Sequence, residues 1–143
     1  MNKKGSNSLE IACRGSSMMP LIRDGDKVSI ELIKPNQRIH LGEVVVFLFH
    51  KRLLCHRIMW IDKQTFITKG DNSWRGETSK PLKKIIGKVK SITGPGKIVR
   101  LKDLRFRCLN IYLFCNSFIV FLAALVVFRL MGAVSWLRAR LDI

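Results

Sequence analysis

EVVVFLFHKRLLCHRIMWI, residues 43–61, carries the clearest secondary-structure pattern in the chain. It contains two short apolar runs, residues 43–49 and 53–61, separated by a polar tripeptide. Short runs of this kind, rich in β-branched and aromatic residues, are typical of β-strands. We therefore predict a strand over each run.

Four further runs with the same apolar alternation flank this stretch, at residues 9–13, 28–33, 65–68 and 85–92. Turn-forming residues lie between the runs: Asp24-Gly25-Asp26 and Gly70-Asp71-Asn72-Ser73 favour turns, and Gly94-Pro95-Gly96 closes the strand region. The sequence thus predicts a mainly β fold. A small β domain occupies residues 9–100, and residues 1–8 form a flexible tail before it.

A hydrophobic segment near the C-terminus predicts one transmembrane helix. Residues 108–128 run for 21 positions without a charge, which matches the roughly 20 residues needed to cross a bilayer. A basic juxtamembrane segment at 101–107 precedes this helix, and a basic tail at 129–143 follows it. The alternative, a buried helix of a soluble domain, is less favoured because so small a domain cannot cover a helix that is apolar on nearly every side.

The sequence does not decide on which side of the membrane the β domain lies. Basic residues are denser before the hydrophobic segment than after it, which would hold the domain in the cytoplasm. We expect a single-pass membrane protein in contact with lipid, on a side that the sequence does not fix.

The composition also bounds the partners and cofactors. The chain has 143 residues, enough for one domain and an appendage, and a formal net charge of +16. Because the basic residues are spread through the first 107 positions, they indicate a generally cationic surface, and no nucleic acid is expected as a partner. The four cysteines show no zinc-type spacing, so neither a metal nor an organic cofactor is expected.

Three motifs carry a resemblance to a known family. Gly15-Ser16-Ser17-Met18-Met19-Pro20, followed by Gly25-Asp26, resembles the nucleophile motif Ser-Met-x-Pro of the signal peptidase I superfamily. Cys55-His56-Arg57 resembles the motif of its general base, and Thr68-Lys69-Gly70-Asp71-Asn72 resembles a motif of its histidine-type branch, which includes archaeal and endoplasmic-reticulum enzymes. Three blocks in the right order are far more specific than any one of them.

The resemblance implies a serine peptidase with Ser17 as nucleophile and His56 as general base. A serine hydroxyl needs a base within hydrogen-bond reach, and an imidazole, largely unprotonated at pH 7, can take the proton and return it to the leaving amine. In the histidine-type family the acid lies six residues after the aspartate of the third motif. That position is Glu77 here, and Asp71 is the alternative acid.

The oxyanion and substrate side is expected around the nucleophile motif. Gly15 stands where many lysine-type relatives carry a serine, so the oxyanion would rely on backbone N–H groups, chiefly that of Ser17, with help from the Ser16 hydroxyl. Met18 and Pro20 complete the predicted set of oxyanion and substrate-binding residues. A core position is an equal alternative for Met18.

The function implied by the resemblance is a membrane-bound serine endopeptidase that removes signal or leader peptides from precursor proteins, after small residues. The fold implied is a small signal-peptidase-like or LexA-like β domain. One alternative is a catalytically inactive, signal-peptidase-like interaction module anchored to the membrane. A self-cleaving repressor of the LexA kind is disfavoured, because His56 stands where those proteins use lysine and no helix-turn-helix precedes the domain.

Overall fold

The computed structural model describes residues 8–35, 37–74, 76–101 and 104–140. Within these residues the fold is mainly β with one C-terminal apolar helix, which confirms the predicted fold class. The elements, in chain order, are β1 (Ser8–Ala12), β2 (Lys27–Leu32), β3 (Val44–Phe49), β4 (Arg52–Ile61), β5 (Thr65–Lys69), β6 (Lys80–Pro81), a 3-10 turn (Leu82–Lys84), β7 (Ile85–Gly94), β8 (Lys97–Arg100) and α1 (Leu104–Arg140).

The strands form one antiparallel sheet in the order β1-β2-β7-β3-β4-β5-β6, and β8 also pairs with β7. The pairings β2/β7, β3/β7 and β4/β5 each contain a register shift. Irregularities of this kind bend strands and increase their twist, so the sheet curls. The curl brings the loop after β1 close to the middle of β4.

Both faces of β3 are buried over residues 44–47, which explains why the sequence is apolar at every position there. Successive side chains of a strand point to opposite faces. In β3, Val44 and Val46 therefore join one core cluster, while Val45 and Phe47 join another. The first cluster also contains Met18, Leu21, Ile22, Val28, Ile30, Val89 and Ile92, so it fixes the loop that follows β1.

The observed strands agree with the predicted ones to within two residues at each end, and two strands were missed. The turn at Gly94-Pro95-Gly96 does not close the strand region but connects β7 to β8 in a hairpin. β8 was not predicted, because two of its four residues are charged. Its apolar residue Val99 is nevertheless buried and pairs with Ile92 of β7.

The termini differ from the predicted boundaries. Ser8, predicted as the end of the flexible tail, is the first residue of β1, and residues 1–7 of that tail lie outside the described residues. The helix is longer than the predicted span of 108–128 at both ends, because its flanks are rich in good helix formers such as leucine, arginine and alanine. It includes most of the predicted basic tail, of which residues 141–143 lie outside the described part.

The helix α1 contains a segment, Cys108–Val134, that is long and apolar enough to cross a membrane. The segment has 27 residues and an apolar window with mean hydropathy 2.5, of which 11% is buried. About 20 residues suffice to cross the hydrocarbon core. The segment is therefore long enough for one membrane span.

Candidate active site

Ser17 and His56 lie side by side although 39 residues separate them in the chain. The Ser17 Oγ is 3.0 Å from the His56 Nε2, a distance suited to proton transfer. His56 lies in the middle of β4 and is 8% exposed. Ser17 lies in the loop after β1, where the buried side chains of Met18 and Ile22 anchor the chain beside it. The two groups meet because the core holds the loop against the sheet.

The third motif holds the backbone of the nucleophile loop. Asn72 donates its backbone N–H to the Ser17 carbonyl oxygen at 2.8 Å and its side-chain amide to the Ser16 carbonyl oxygen at 3.2 Å. Gly70 packs so closely that a Cβ there would lie 2.6 Å from the Ser17 carbonyl oxygen. Glycine is therefore required at position 70 for this approach.

Glu77 occupies the far side of the imidazole. Its Oε1 lies 2.8 Å from the His56 Nδ1, within hydrogen-bond distance. Its Oε2 accepts hydrogen bonds from the Thr68 Oγ1 at 2.7 Å and the Lys80 Nζ at 2.8 Å. The backbone N–H of Glu77 donates to the Thr68 carbonyl oxygen at 2.8 Å, which fixes the loop against β5.

Glu77 is held in its ionised form. Burial alone would raise the pKa of this carboxyl, but hydrogen bonds from His56, Lys80 and Thr68 outweigh burial and lower the pKa to about 2. An ionised carboxylate beside Nδ1 can orient the imidazole and stabilise the imidazolium that forms when the ring accepts a proton.

Asp71, the other carboxylate considered for this role, faces a different partner. Its two oxygens accept from the Nε and NH2 of Arg57, each at 2.7 Å. Both side chains are almost completely buried, at 0% and 1% exposure. Arg57 follows His56 on β4, so its side chain points to the opposite face of the strand. Of the two candidate acids, Glu77 contacts His56, while Asp71 forms a bidentate ion pair with Arg57.

Polar residues of α1 complete this buried cluster. Arg57 also donates to the Asn110 Oδ1 and, at 2.8 Å, to the Gly42 carbonyl oxygen. The Ser117 Oγ donates to the Asp71 Oδ1 at 3.5 Å and accepts from the Lys69 Nζ at 3.4 Å.

These helix residues were missed as site residues, because in the sequence they only interrupt an apolar run. The signal was their spacing: positions 110 and 117 are seven apart, which places both on one helix face. The cluster also disfavours the charged form of Lys69, since burial lowers the pKa of this lysine.

The predicted oxyanion residues differ in their availability. Gly15 has a φ of +96°, and its N–H already donates to the Asp24 Oδ1 at 2.7 Å. Within residues 8–35, 37–74, 76–101 and 104–140, no acceptor bonds the backbone N–H of Ser17. Ser16 is exposed. The Ser17 N–H is thus available to donate to an oxyanion, whereas the Gly15 N–H is already bonded.

A small pocket of about 100 Å³ opens beside the Ser17 and His56 side chains. That volume is well below the 300 Å³ or more of pockets for drug-sized ligands, so it suits a small side chain. Of the two predicted substrate-binding residues, Met18 lines the pocket and is buried in the core, whereas Pro20 is exposed and lies outside the lining. The other lining residues include Ile11, Ala12, Cys13, Val46 and Cys55.

The comparisons with known proteins agree with this architecture. Residues 1–90, which contain all three motifs and Glu77, match the family model described as Peptidase S24-like. No curated protein matches the chain.

Proposed function

Because this chain belongs to the Peptidase S24-like family, we propose that it is a serine endopeptidase with Ser17 as nucleophile, His56 as general base and Glu77 as the acid that orients the base. One observation supports the proposal most directly: the 3.0 Å approach of the Ser17 Oγ to the His56 Nε2. The contact of Glu77 with the other ring nitrogen completes an arrangement that performs acyl transfer in unrelated folds.

Each residue has a defined task in the proposed reaction. The Ser17 Oγ attacks the carbonyl carbon of the scissile peptide bond while the His56 Nε2 accepts the hydroxyl proton. Glu77 stabilises the resulting imidazolium, and the Ser17 N–H donates to the oxyanion. His56 then returns the proton to the leaving amine. The same imidazole deprotonates a water molecule that hydrolyses the acyl-enzyme and regenerates the Ser17 hydroxyl.

The proposed substrate is a membrane-bound or secreted precursor cut after a small residue, as in the histidine-type signal peptidases that the motifs resemble. The pocket of about 100 Å³ beside Ser17 supports a small side chain before the scissile bond. β1 lies at one end of the sheet, and its last residues, Ile11 and Ala12, line the same pocket. An extended peptide that pairs with β1 would therefore lead its carbonyl toward Ser17.

Single-pass anchoring by α1 is the second part of the proposal. The 27-residue apolar segment supports it, and so does the exposed apolar surface of the helix, which includes Tyr112, Ile119, Phe128 and Met131. Such a surface is stable in lipid and unfavourable in water. Anchoring would keep the protease beside membrane-bound precursors.

Cleavage of a defined peptide tests the proposed function. The full-length protein in detergent micelles is incubated with a peptide containing an Ala-x-Ala site, and the products are identified by mass spectrometry. We expect cleavage after the second alanine, at least about 10³-fold slower in Ser17→Ala. Ser29→Ala, the same change on β2, is the control and should cleave like wild type.

Two outcomes would contradict the proposal. Equal turnover by wild type and Ser17→Ala would show that this serine is not the nucleophile. Absence of cleavage by the folded wild-type protein, over a panel of peptides with different small residues, would favour the inactive interaction module instead.

A further inference from the structure

The helix α1 reaches the candidate active site through polar side chains as well as through its apolar surface. Asn110 accepts a hydrogen bond from Arg57, and Ser117 bonds both Asp71 and Lys69. A helix that served only as a tether would not need to contribute acceptors to a buried cluster of the β domain.

The buried cluster contains cationic side chains that need hydrogen-bond acceptors. Arg57 and Lys69 are 0% and 1% exposed. Asp71 pairs with Arg57, and within the described residues no carboxylate forms an ion pair with Lys69. Buried charges are stable only when hydrogen bonds satisfy them. Asn110 and Ser117 supply oxygen atoms to the two cations, so the helix completes their solvation.

Each member of the proposed triad has a neighbour that touches α1. Arg57, which bonds Asn110, directly follows His56. Asp71, which bonds Ser117, lies between Gly70 and Asn72, the two residues that contact the Ser17 carbonyl oxygen.

The third contact joins α1 to the loop that carries Glu77, the proposed acid. Gly76 precedes Glu77, and the Phe121 ring packs so closely on Gly76 that it leaves no room for a Cβ. The helix therefore packs directly on that loop. A similar close approach joins Gly42 to Phe114, where a Cβ would lie 3.3 Å from the ring.

We propose that α1 is a working part of the catalytic unit, and that Asn110 and Ser117 are positioning residues for His56 and Ser17. This inference rests on the proposed serine peptidase function. The helix holds Arg57, Asp71 and the Gly76 loop in place, and these hold the base, the nucleophile loop and the acid. Undocking of the helix would misplace the triad even where each triad residue is intact.

The chain offers a matched pair of substitutions to test this. Asn110→Leu removes the acceptor of Arg57, whereas Asn116→Leu makes the same change at an exposed position of the same helix. Both leave the membrane-spanning segment apolar. We expect Asn110→Leu to lower kcat about 10- to 100-fold with little change in KM, because a misplacement of about 1 Å costs about 10²-fold. Asn116→Leu should retain wild-type kcat.

Two further variants keep the inference falsifiable. Asn110→Asp should restore kcat to within a few-fold of wild type, because a carboxylate accepts the same hydrogen bond and balances the buried positive charge. Ser117→Ala serves if Asn110→Leu fails to fold, and it should also lower kcat more than KM. Wild-type kcat in both Asn110→Leu and Ser117→Ala would overturn the inference, and so would an equal loss of kcat in Asn116→Leu.

A readout that needs no turnover separates this inference from the proposed function. Amide hydrogen exchange of the full-length protein in micelles is compared between Asn110→Leu and Asn116→Leu. We expect faster exchange at residues 70–72 and 56–57 in the first variant alone, even if no peptide is ever cleaved. Unchanged exchange there would overturn the positioning role. Faster exchange without any wild-type cleavage would instead contradict the peptidase proposal alone.

Discussion

Replacing Glu77 with glutamine should destabilise the β domain by an amount that depends on pH. The pKa of Glu77 is about 2 in the folded protein, against an ordinary value of 4.5. At 1.36 kcal/mol per pKa unit, the ionised carboxylate contributes about 3 kcal/mol to the free energy of unfolding. The Glu77 side chain is 23% exposed, so solvent screens this interaction only partly.

The sign of the pH dependence follows from the lowered pKa. A carboxylate whose pKa falls on folding contributes its full stabilisation above its unfolded pKa and loses it as the pH drops through the folded pKa. The contribution of Glu77 is therefore complete above about pH 5 and fades between pH 4.5 and 2. Glu77→Gln should be about 3 kcal/mol less stable than wild type at pH 7, and the difference should shrink toward zero near pH 2.

Urea unfolding in detergent micelles, followed by tryptophan fluorescence at several pH values, measures this difference. Trp60 and Trp74 report on the β domain. Glu10→Gln, which removes the same charge from an exposed position of β1, is the control for net charge. A Glu77→Gln deficit that is equally large at pH 3 and pH 7, or that is absent at pH 7, would refute the account of the Glu77 contacts.

Two other substitutions probe the groups that hold the triad. Gly70→Ala adds a Cβ that would lie 2.6 Å from the Ser17 carbonyl oxygen, so we expect kcat for peptide cleavage to fall about 10²-fold; wild-type kcat would show that the loop tolerates the shift. Asp71→Asn leaves the buried Arg57 without its counter-charge, so the free energy of unfolding should drop by about 3 to 5 kcal/mol. A loss below about 1 kcal/mol in urea unfolding would contradict the buried ion pair.

Strands of five or more residues were predictable from sequence, and the two shorter strands, β6 and β8, were not. Residues 44–47 are apolar at every position because both faces of β3 are buried there, so the pattern predicts a strand clearly. β8 has four residues, of which only Val99, between exposed neighbours, is buried, so it carries too little apolar pattern to predict a strand. β8 is recognised in the structure by its pairing with β7, a long-range contact that its own residues do not indicate.

The candidate site shows a similar division. Sequence motifs predicted Ser17, His56 and Glu77, and the structure brings these three side chains together. Motif spacing alone did not decide between Glu77 and Asp71. The deciding fact is that Arg57 engages both oxygens of Asp71.

The part played by the helix was beyond sequence reasoning. Asn110 lies 53 residues from Arg57, and Ser117 lies 46 residues from Asp71. In the sequence both appear as minor interruptions of an apolar segment. Their spacing indicates only that both lie on one helix face; the residues that they contact depend on how the helix docks, which one sequence does not show.

Covalent labelling of Ser17 tests the central claim most directly. A fluorophosphonate reacts with a serine that a neighbouring base activates, and mass spectrometry of the full-length protein in micelles identifies the modified residue. The account predicts one adduct, on Ser17, that forms at least about 10²-fold more slowly in His56→Ala. No adduct on Ser17, or an adduct that forms at the same rate without the imidazole, would contradict it.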